Sequence, residues 1–596
     1  METNISSKPE SIQIVYDWYK SNKLVVNRKY QRKLVWTIEE KQAFIDSIYQ
    51  QFSVPLFLLA ATKHQGKDAF EIIDGMQRLD AIFSFIENEF PININGKAAY
   101  FNLETLANTI VAKDEGVLSQ KTPILPREDC VSIVTYQLPF SFAYFQEEAK
   151  IEEIFRRINS YGRQLSEQEI RQAGALGKFP NLVRVIASQI RRDSSPSDIL
   201  SLSQMKEISL SNRRLKYGVD ITSIFWVKQN IITPKNMRIS RDEELVAYIL
   251  TYILMSPDFN PSRKYLDQLY QYEIDSPDNL YTKAEQEIEK QGFDKIISWF
   301  NQVYDQIEYT LKKAPRDFRT ILYNDNKASG LFRSFQVIFL AIYELMIIER
   351  MKISNHNGLL KVLNGLGNKH LNGIGGEEWN GEYRKQKVQA LKGIFKPFFE
   401  AVSGSDVAVD NWVSKFENLL SNSKVENSQY DFKISFFDLK DGKTFCKELV
   451  GKIVKTLTAM ANKGPNEKGY VIVGVADSEQ DAKQYKNLYG TDYIVFQGFN
   501  ISGLNGEISR NFGKRDDFLN RIKTIIKAEP IEGGVQDYIL SNLRLINYYD
   551  KDILVFEIAS RQDPISYGDK YYHRVLSSSE KISSAVSIKA LFDKFK

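Results

Sequence analysis

At 596 residues the chain is too long for one hydrophobic core, and roughly two to four domains are expected. Its 43% hydrophobic and 26% charged content excludes a disordered or collagen-like polypeptide. The net charge of +4, from 79 Lys+Arg against 75 Asp+Glu, excludes polyanion binding through bulk charge and leaves that role to a local basic groove.

Cys130 and Cys446 are too far apart in sequence for a local ligand pair or a disulfide scaffold, which points to a reducing cytoplasm. The opening segment METNISSKPESIQIVYDWYK lacks a basic region followed by an apolar stretch, so no secretory signal is expected. The runs LVAYILTYILM from Leu245 and FQVIFLAIYELMII from Phe335 fall short of the roughly 20 residues that cross a bilayer, and the second carries Glu344. Both read as core helices, with no membrane partner. His64, His356, His370 and His573 form no pair at ligand spacing, which argues against zinc and against a paired-histidine nuclease.

In chain order, residues 1–180 read as an α+β unit. VPLFLLAAT and AFEIID have strand length, whereas TIEEKQAFIDSIYQQF sets Phe44, Ile45, Ile48 and Phe52 at helical spacing behind a Thr37 to Glu40 capping box. The motif DGMQR, residues 74–78, lies between AFEIID and the helical QRLDAIFSFIEN. One reading makes Asp74 the helix N-cap and lets Gln77 close a capping box. Arg78 and the nearby Arg28, Lys29, Arg32 and Lys33 are then left without a role. In the other reading, strand, glycine turn and helix N-terminus form an anion site, where unpaired N–H groups and the helix dipole favour phosphate. Asp74 would bind Mg²⁺ or position water, Gln77 would orient that water, and Arg32 and Arg78 would neutralise phosphate charge. Farther on, IFRRINSYGRQLSEQEIRQAGALG reads as a helix ended by Gly162 and a second helix capped by Ser166 with Glu169 in the box position. Either this is a plain corner, or Asn159, Ser160 and Arg163 add a phosphate or base contact.

Residues 181–415 read as a helical domain, with long amphipathic stretches such as FDKIISWFNQVYDQIEYTLKK. HNGLLKVLNGLGNKHLNGIGGEEWNGEY is rich in Gly and Asn and reads as an ordinary loop, because the chain has no G-x-x-x-x-G-K-[ST]. Strands return after ENLLSNSKVENSQ, and a third, α+β domain is expected over residues 416–596.

In that last domain YDFK sets Asp431 and Lys433 two apart on a strand, hence on one face. Glu426 and Asp431 converge only through an irregular backbone between them. Given such a turn, Glu426, Asp431 and Asp477 would hold one or two divalent metals, with Lys433 near the scissile phosphate or the attacking water. The alternative is a solvated strand face with Asp477 in a turn. Lys570, Tyr571, Tyr572, His573 and Arg574 offer phosphate contacts and a stacking face, or simply pack.

Two resemblances sharpen these readings. YQRKLVW, IIDGMQRL and FRRINSYGRQLSEQEIRQA together resemble the family that supplies the N-terminal subunit or domain of GmrSD-type modification-dependent restriction enzymes. That family usually writes the central motif DGQQR and has a fold similar to ParB and sulfiredoxin. The resemblance implies binding and hydrolysis of a nucleoside triphosphate in phage defence, with Arg32, Asp74, Gly75, Gln77, Arg78 and Asn159 at the site. Met76 stands where the family has glutamine and cannot make an amide's hydrogen bonds, so binding without efficient turnover stays open. The histidine-based nuclease that often follows in that family is not visible here.

ENSQYDFK, TAMANKG, EKGYVIVGVAD and DILVFEIASRQDPISYGDKYYHRVLSSSEKIS resemble the Schlafen or AlbA-type nucleic-acid-binding domain. Some members bind nucleic acid without cutting it, whereas Schlafen nucleases cleave RNA with three carboxylates that match Glu426, Asp431 and Asp477. Leu576 replaces a glycine of the closing segment. The expected protein is therefore multidomain α+β: a ParB-like nucleotide-binding domain, a helical domain and a Schlafen-like domain. Its expected ligands are a nucleoside triphosphate, Mg²⁺ or Mn²⁺, and RNA or DNA, and assembly as a homo-oligomer is open. An anti-phage nucleotide sensor coupled to a metal-dependent nuclease is the leading reading; a non-catalytic, nucleotide-gated DNA-binding regulator is the alternative.

Overall fold

The computed structural model describes residues 5–595 apart from 30–32, 65, 95, 145–165, 173–174, 176, 196, 212–217, 271–278, 324–330, 372–373, 375–378, 403–411, 426 and 576–577. The chain divides into two compact units, Met1–Asn411 and Trp412–Lys596. It is a mixed α/β multidomain protein with β-rich terminal regions and a helical middle region.

The first unit is organised by a six-stranded sheet in the order Ile5–Ser11, Gln137–Ala143, Phe57–His64, Lys67–Asp74, Leu24–Asn27, Ile199–Ser201. Phe57–His64 and Lys67–Asp74 form an antiparallel hairpin. Its register slips at one end, where Leu58 faces Asp74 and Leu59 faces Ile72. Such a bulge bends the strand and re-aims the residue that follows it. Helix Met76–Ile86 leaves this strand and is buried on nearly every face. The expected Thr37 to Glu40 capping box is present at the start of helix Ile38–Tyr49, and Lys41 of that helix pairs with the buried Asp80 at 2.6 Å. Ser166 and Glu169 likewise close the box expected at helix Glu167–Gln172.

The helical middle region buries both apolar runs as core helices. Arg241–Leu254 is buried almost throughout. Leu331–Tyr343 continues into a π-helical turn, Glu344–Ile348. Among the described residues these 18 form the one helix long and apolar enough to cross a membrane, and 72% of it is buried inside the protein. The Gly/Asn-rich stretch departs from the expected loop. It forms helices His356–Leu363 and Leu366–His370 and then enters Gly381–Phe395. Leu359, Leu363 and Leu366 are buried in the same core, so tertiary burial outweighs the turn propensity of Asn and Gly there.

Arg28 and Lys33, two of the basic residues near DGMQR, are consumed inside this unit. Arg191 donates to Asp242, to Glu243 at 3.1 Å and to Asp193 at 3.1 Å. Arg28 lies 3.7 Å from Asp193, and Lys33 lies 3.7 and 3.8 Å from Asp242 and Glu243. Asp242 and Glu243 sit in the first turn of helix Arg241–Leu254, where the dipole favours anions. Charges this deeply buried are tolerable because cations and carboxylates interleave; removing one leaves its partners uncompensated.

The second unit is built on a four-stranded sheet ordered Tyr430–Lys433, Lys468–Val473, Lys551–Ala559, Arg544–Tyr548. Strand alternation sorts its apolar residues onto two faces. Val471, Val473, Leu554, Phe556 and Ile558 meet the helices Lys447–Ala461, Arg515–Lys527 and Gly533–Asn542. Tyr430, Ile472, Ile553 and Val555 pack with Phe416 and Leu420 of helix Trp412–Val425. A small antiparallel sheet, Ser566–Tyr567, Lys570–Val575 and Ser578–Ile582, packs on helix Lys447–Ala461.

Arg191→Met is expected to destabilise the first unit by about 3–5 kcal/mol, as breaking a buried ion cluster from one side does. The check is the midpoint of urea unfolding compared with wild type.

Candidate functional site

DGMQR does not form the Asp74 cap. Asp74 is the last residue of its strand, and Gly75 occupies the N-cap position at φ 102° without a side-chain hydrogen bond. The bulge beneath Asp74 is the physical reason, because it turns the carboxylate toward Arg78 and away from the helix N–H groups. Arg78 Nη2 donates to Asp74 at 2.7 Å and to Leu56 O at 3.1 Å, and Nη1 reaches Pro55 O at 2.5 Å. Its guanidinium also lies 4.5 Å from the Phe57 ring centroid. Gln77 accepts from the N–H groups of Val35 and Trp36 at 3.0 and 3.2 Å and donates to Lys33 O at 2.7 Å.

The amide and the guanidinium of the motif thus hold backbone from two other segments. Asp74 keeps a partly exposed carboxylate, with 39% of its side chain accessible. Strand, left-handed glycine and helix N-terminus follow one another as an anion turn requires. Arg32 and Asn159 lie outside the described residues.

In the second unit, Asp431 and Lys433 share one face of their strand, opposite Val471 and Val473 in register. Lys433 Nζ lies 2.8 Å from Asp431 Oδ2, and Arg574 Nη2 lies 2.9 Å from Asp431 Oδ1. Both carboxylate oxygens are therefore engaged by cations. Arg574 also donates to Ser579 Oγ at 3.4 Å, and 4% of its side chain is exposed. Asp477, just beyond Val475–Ala476, is exposed and lies within electrostatic reach of the pair. Partial desolvation raises its carboxyl above the usual range; Lys433 opposes the rise, and Asp431 and Asp481 add to it.

The hairpin residues separate by strand alternation. Tyr572 and Arg574 face helix Lys447–Ala461, where Lys455 Nζ lies 5.4 Å from the Tyr572 ring. Tyr571 packs on Phe592, and His573 shares its side of the strand, opposite Glu580 in register. Lys570 is exposed beside the turn. Glu426 lies outside the described residues, as does Leu576. Among the described residues no group of three or more His, Cys, Asp and Glu side chains gathers.

Asn462 and Glu507 support this site, and neither role was read from the sequence. Asn462, in TAMANKG, donates to Ile565 O at 2.8 Å and Tyr572 O at 3.0 Å and accepts from Ile565 N–H at 2.7 Å, fixing the hairpin to the helix end. An asparagine among buried helix residues was the available signal. Glu507 is fully buried, accepts from Ser435 Oγ and from the Phe436 N–H at 3.3 Å, and so anchors the chain just past Lys433. Burial pushes its carboxyl up to about 8, against those hydrogen bonds.

Residues 15–176 match the family model for the GmrSD restriction endonuclease, N-terminal domain, and residues 426–583 match that for Schlafen, AlbA_2. The chain fuses a GmrSD-type N-terminal segment to a Schlafen AlbA_2 segment. The first match contains DGMQR, and the second contains the Asp431–Lys433–Arg574 cluster and Asp477. No curated protein matches the chain. A solved structure, the DIP2311 protein from Corynebacterium diphtheriae, aligns at 16% identity and a TM-score of 0.18. The alignment spans 28% of this chain and 28% of that one.

Gly75→Ala in the GmrSD-type segment would place a Cβ 2.4 Å from the Phe57 ring, at a φ that favours glycine. A loss of about 2–4 kcal/mol is expected from urea unfolding.

Glu507 sets a pH dependence in the Schlafen-type unit. Between the ordinary value near 4.5 and about 8 the folded state holds a proton that the unfolded state has released. Its stabilising contribution is thus present below that window and is lost as pH rises through it. Thermal unfolding from pH 5 to 8 should show the decline, and Glu507→Gln should flatten it; an unchanged slope in the variant would count against this origin.

Proposed function

We propose that this protein is a cytoplasmic anti-phage defence factor in which a nucleotide-responsive GmrSD-type part governs nucleic-acid cleavage by the Schlafen-type part. The observation that carries the reading is the Asp431–Lys433–Arg574 cluster, with Asp477 near it, inside the Schlafen AlbA_2 segment. Lys433 and Arg574 would hold a backbone phosphate by exchanging their bonds to Asp431 for bonds to phosphate oxygens. Asp431, released from them, and Asp477 are hard oxygen donors of the kind that hold Mg²⁺ or Mn²⁺ together with substrate phosphate, and Glu426 would add a third. The bound metal would supply charge neutralisation at the scissile phosphate. Lys570 would extend the phosphate contacts along the hairpin, and His573 would offer a ring face to bases, whereas Tyr572 faces helix Lys447–Ala461.

In the GmrSD-type part, Asp74, Gly75 and the start of helix Met76–Ile86 would receive a nucleoside triphosphate, joined by Arg32 and Asn159. Gln77 and Arg78 would shape that turn through the backbone they hold. Met76 in place of an amide would make turnover slow relative to binding.

A second reading, a non-catalytic DNA-binding regulator, is favoured by the full engagement of both Asp431 oxygens. The deciding experiment uses the full chain with end-labelled RNA and DNA in Mg²⁺ or Mn²⁺, with and without each nucleoside triphosphate. Wild type should cut one class of substrate in a nucleotide-dependent manner. Lys433→Met should slow cleavage by about 100-fold, and Asp431→Ala should abolish it while substrate remains bound in a filter assay. Binding with no cleavage by wild type under any condition selects the regulator.

A further inference from the structure

Within the first unit, the helical region holds a cavity of about 260 Å³. Arg241, Arg263 and Arg333 and the rings of Tyr248, Phe332 and Trp379 line it, and Glu244 is the one carboxylate among its described lining residues.

Arginines outnumber carboxylates among the described lining residues. Arg241 pairs with Glu244, and Arg263 pairs with Glu167; Arg171, which lies 3.6 Å from Glu167, has its own carboxylate partner in Asp267. Behind the wall lies Arg384, fully buried. Its guanidinium donates to Tyr248 O at 3.0 Å, Thr251 Oγ1 at 3.1 Å and Phe259 O at 2.9 Å, all neutral acceptors. Its Nε is buried without a hydrogen-bond partner. A buried arginine without a carboxylate is costly, and an anion held nearby would offset that cost.

The rings make the cavity more than a phosphate hole. The Arg333 guanidinium lies 5.2 Å from the Trp379 ring and that of Arg241 lies 5.0 Å from the Phe332 ring, with Tyr248 edge-on to Phe332. A guanidinium laid over a ring directs its N–H groups along the ring plane, where phosphate oxygens can accept them. Gly381 lies so close to the Asp258–Phe259 backbone that a Cβ there would come within 1.8 Å of Asp258 O, which ties the Trp379 side to the segment leading to Arg263. The volume is near the lower end of small-ligand pockets, roughly 300 Å³, which suits a single nucleotide and is too small for a dinucleotide.

We infer that this cavity binds a nucleoside monophosphate, with the phosphate on Arg241, Arg263 and Arg333 and the base against Trp379. The site is separate from the DGMQR turn, and its existence does not depend on the function proposed above.

The test is calorimetric titration of the full-length protein with AMP, GMP, CMP and UMP, alongside tryptophan fluorescence, with adenosine and inorganic phosphate as separate probes. At least one monophosphate should bind about tenfold or more tighter than either fragment. Arg263→Ser, chosen because 67% of that side chain is exposed and the fold should survive, should weaken binding by about tenfold. Trp379→Leu should weaken it similarly and remove the fluorescence response. Asp74→Ala should leave it unchanged. Absence of binding by any monophosphate to wild type overturns the inference, as does binding that persists unaltered in Arg263→Ser or disappears in Asp74→Ala.

Discussion

One amide side chain, that of Gln77, binds together the parts on which the N-terminal unit depends. It satisfies two backbone donors and one acceptor across Lys33 to Trp36, a stretch outside any helix or strand in which Leu34 O also accepts from Leu210 N–H at 3.1 Å. Buried backbone of this kind must find hydrogen bonds somewhere, and here they come from the first turn of helix Met76–Ile86. The fixed stretch leads at one end into the capped helix Ile38–Tyr49. At the other it delivers the Lys33 ammonium to Asp242 and Glu243. A motif that reads as a ligand turn is therefore also a structural junction between the sheet and the helical region, and Arg78 performs the same office for Pro55 and Leu56.

The C-terminal unit shows a related economy. Asp431 stands between Lys433, two residues away on the same strand, and Arg574, which arrives from a distant hairpin. The carboxylate organises two cations, and the cations are the groups a phosphate would seek. Asn462 and Glu507 hold the hairpin and the strand's exit in place, so the cluster rests on supports that are themselves buried and hydrogen-bonded.

What was legible in the sequence was mostly local. The capping boxes at Thr37 and Ser166 depend on residues three apart, and the common face of Asp431 and Lys433 follows from strand period. The family-matched segments were legible too, because their motifs are short and ordered. The rest needed contacts between remote positions. Asp74 fails as a cap because of a bulge against Leu58, which no spacing rule encodes. The helices at His356–Leu363 and Leu366–His370 form because their leucines reach a core built by other helices. Arg574 looked like a phosphate ligand by composition, and its pairing with Asp431 spans 143 positions. The cavity between Arg263 and Trp379 joins four separate segments and has no sequence signature at all.

The six-stranded sheet ends on Ile199–Ser201, which pairs with Leu24–Asn27 from well beyond residue 176, where the GmrSD match stops. Arg28, next to that strand, finds its carboxylate at Asp193 in the same later stretch. The inherited segment and the folding unit are therefore not the same length. A recombination event that carried residues 15–176 into another protein would leave a bare strand edge and an orphaned buried charge. Transfer of this segment between proteins should thus proceed with its following helices attached, since the folding unit is longer than the matched segment.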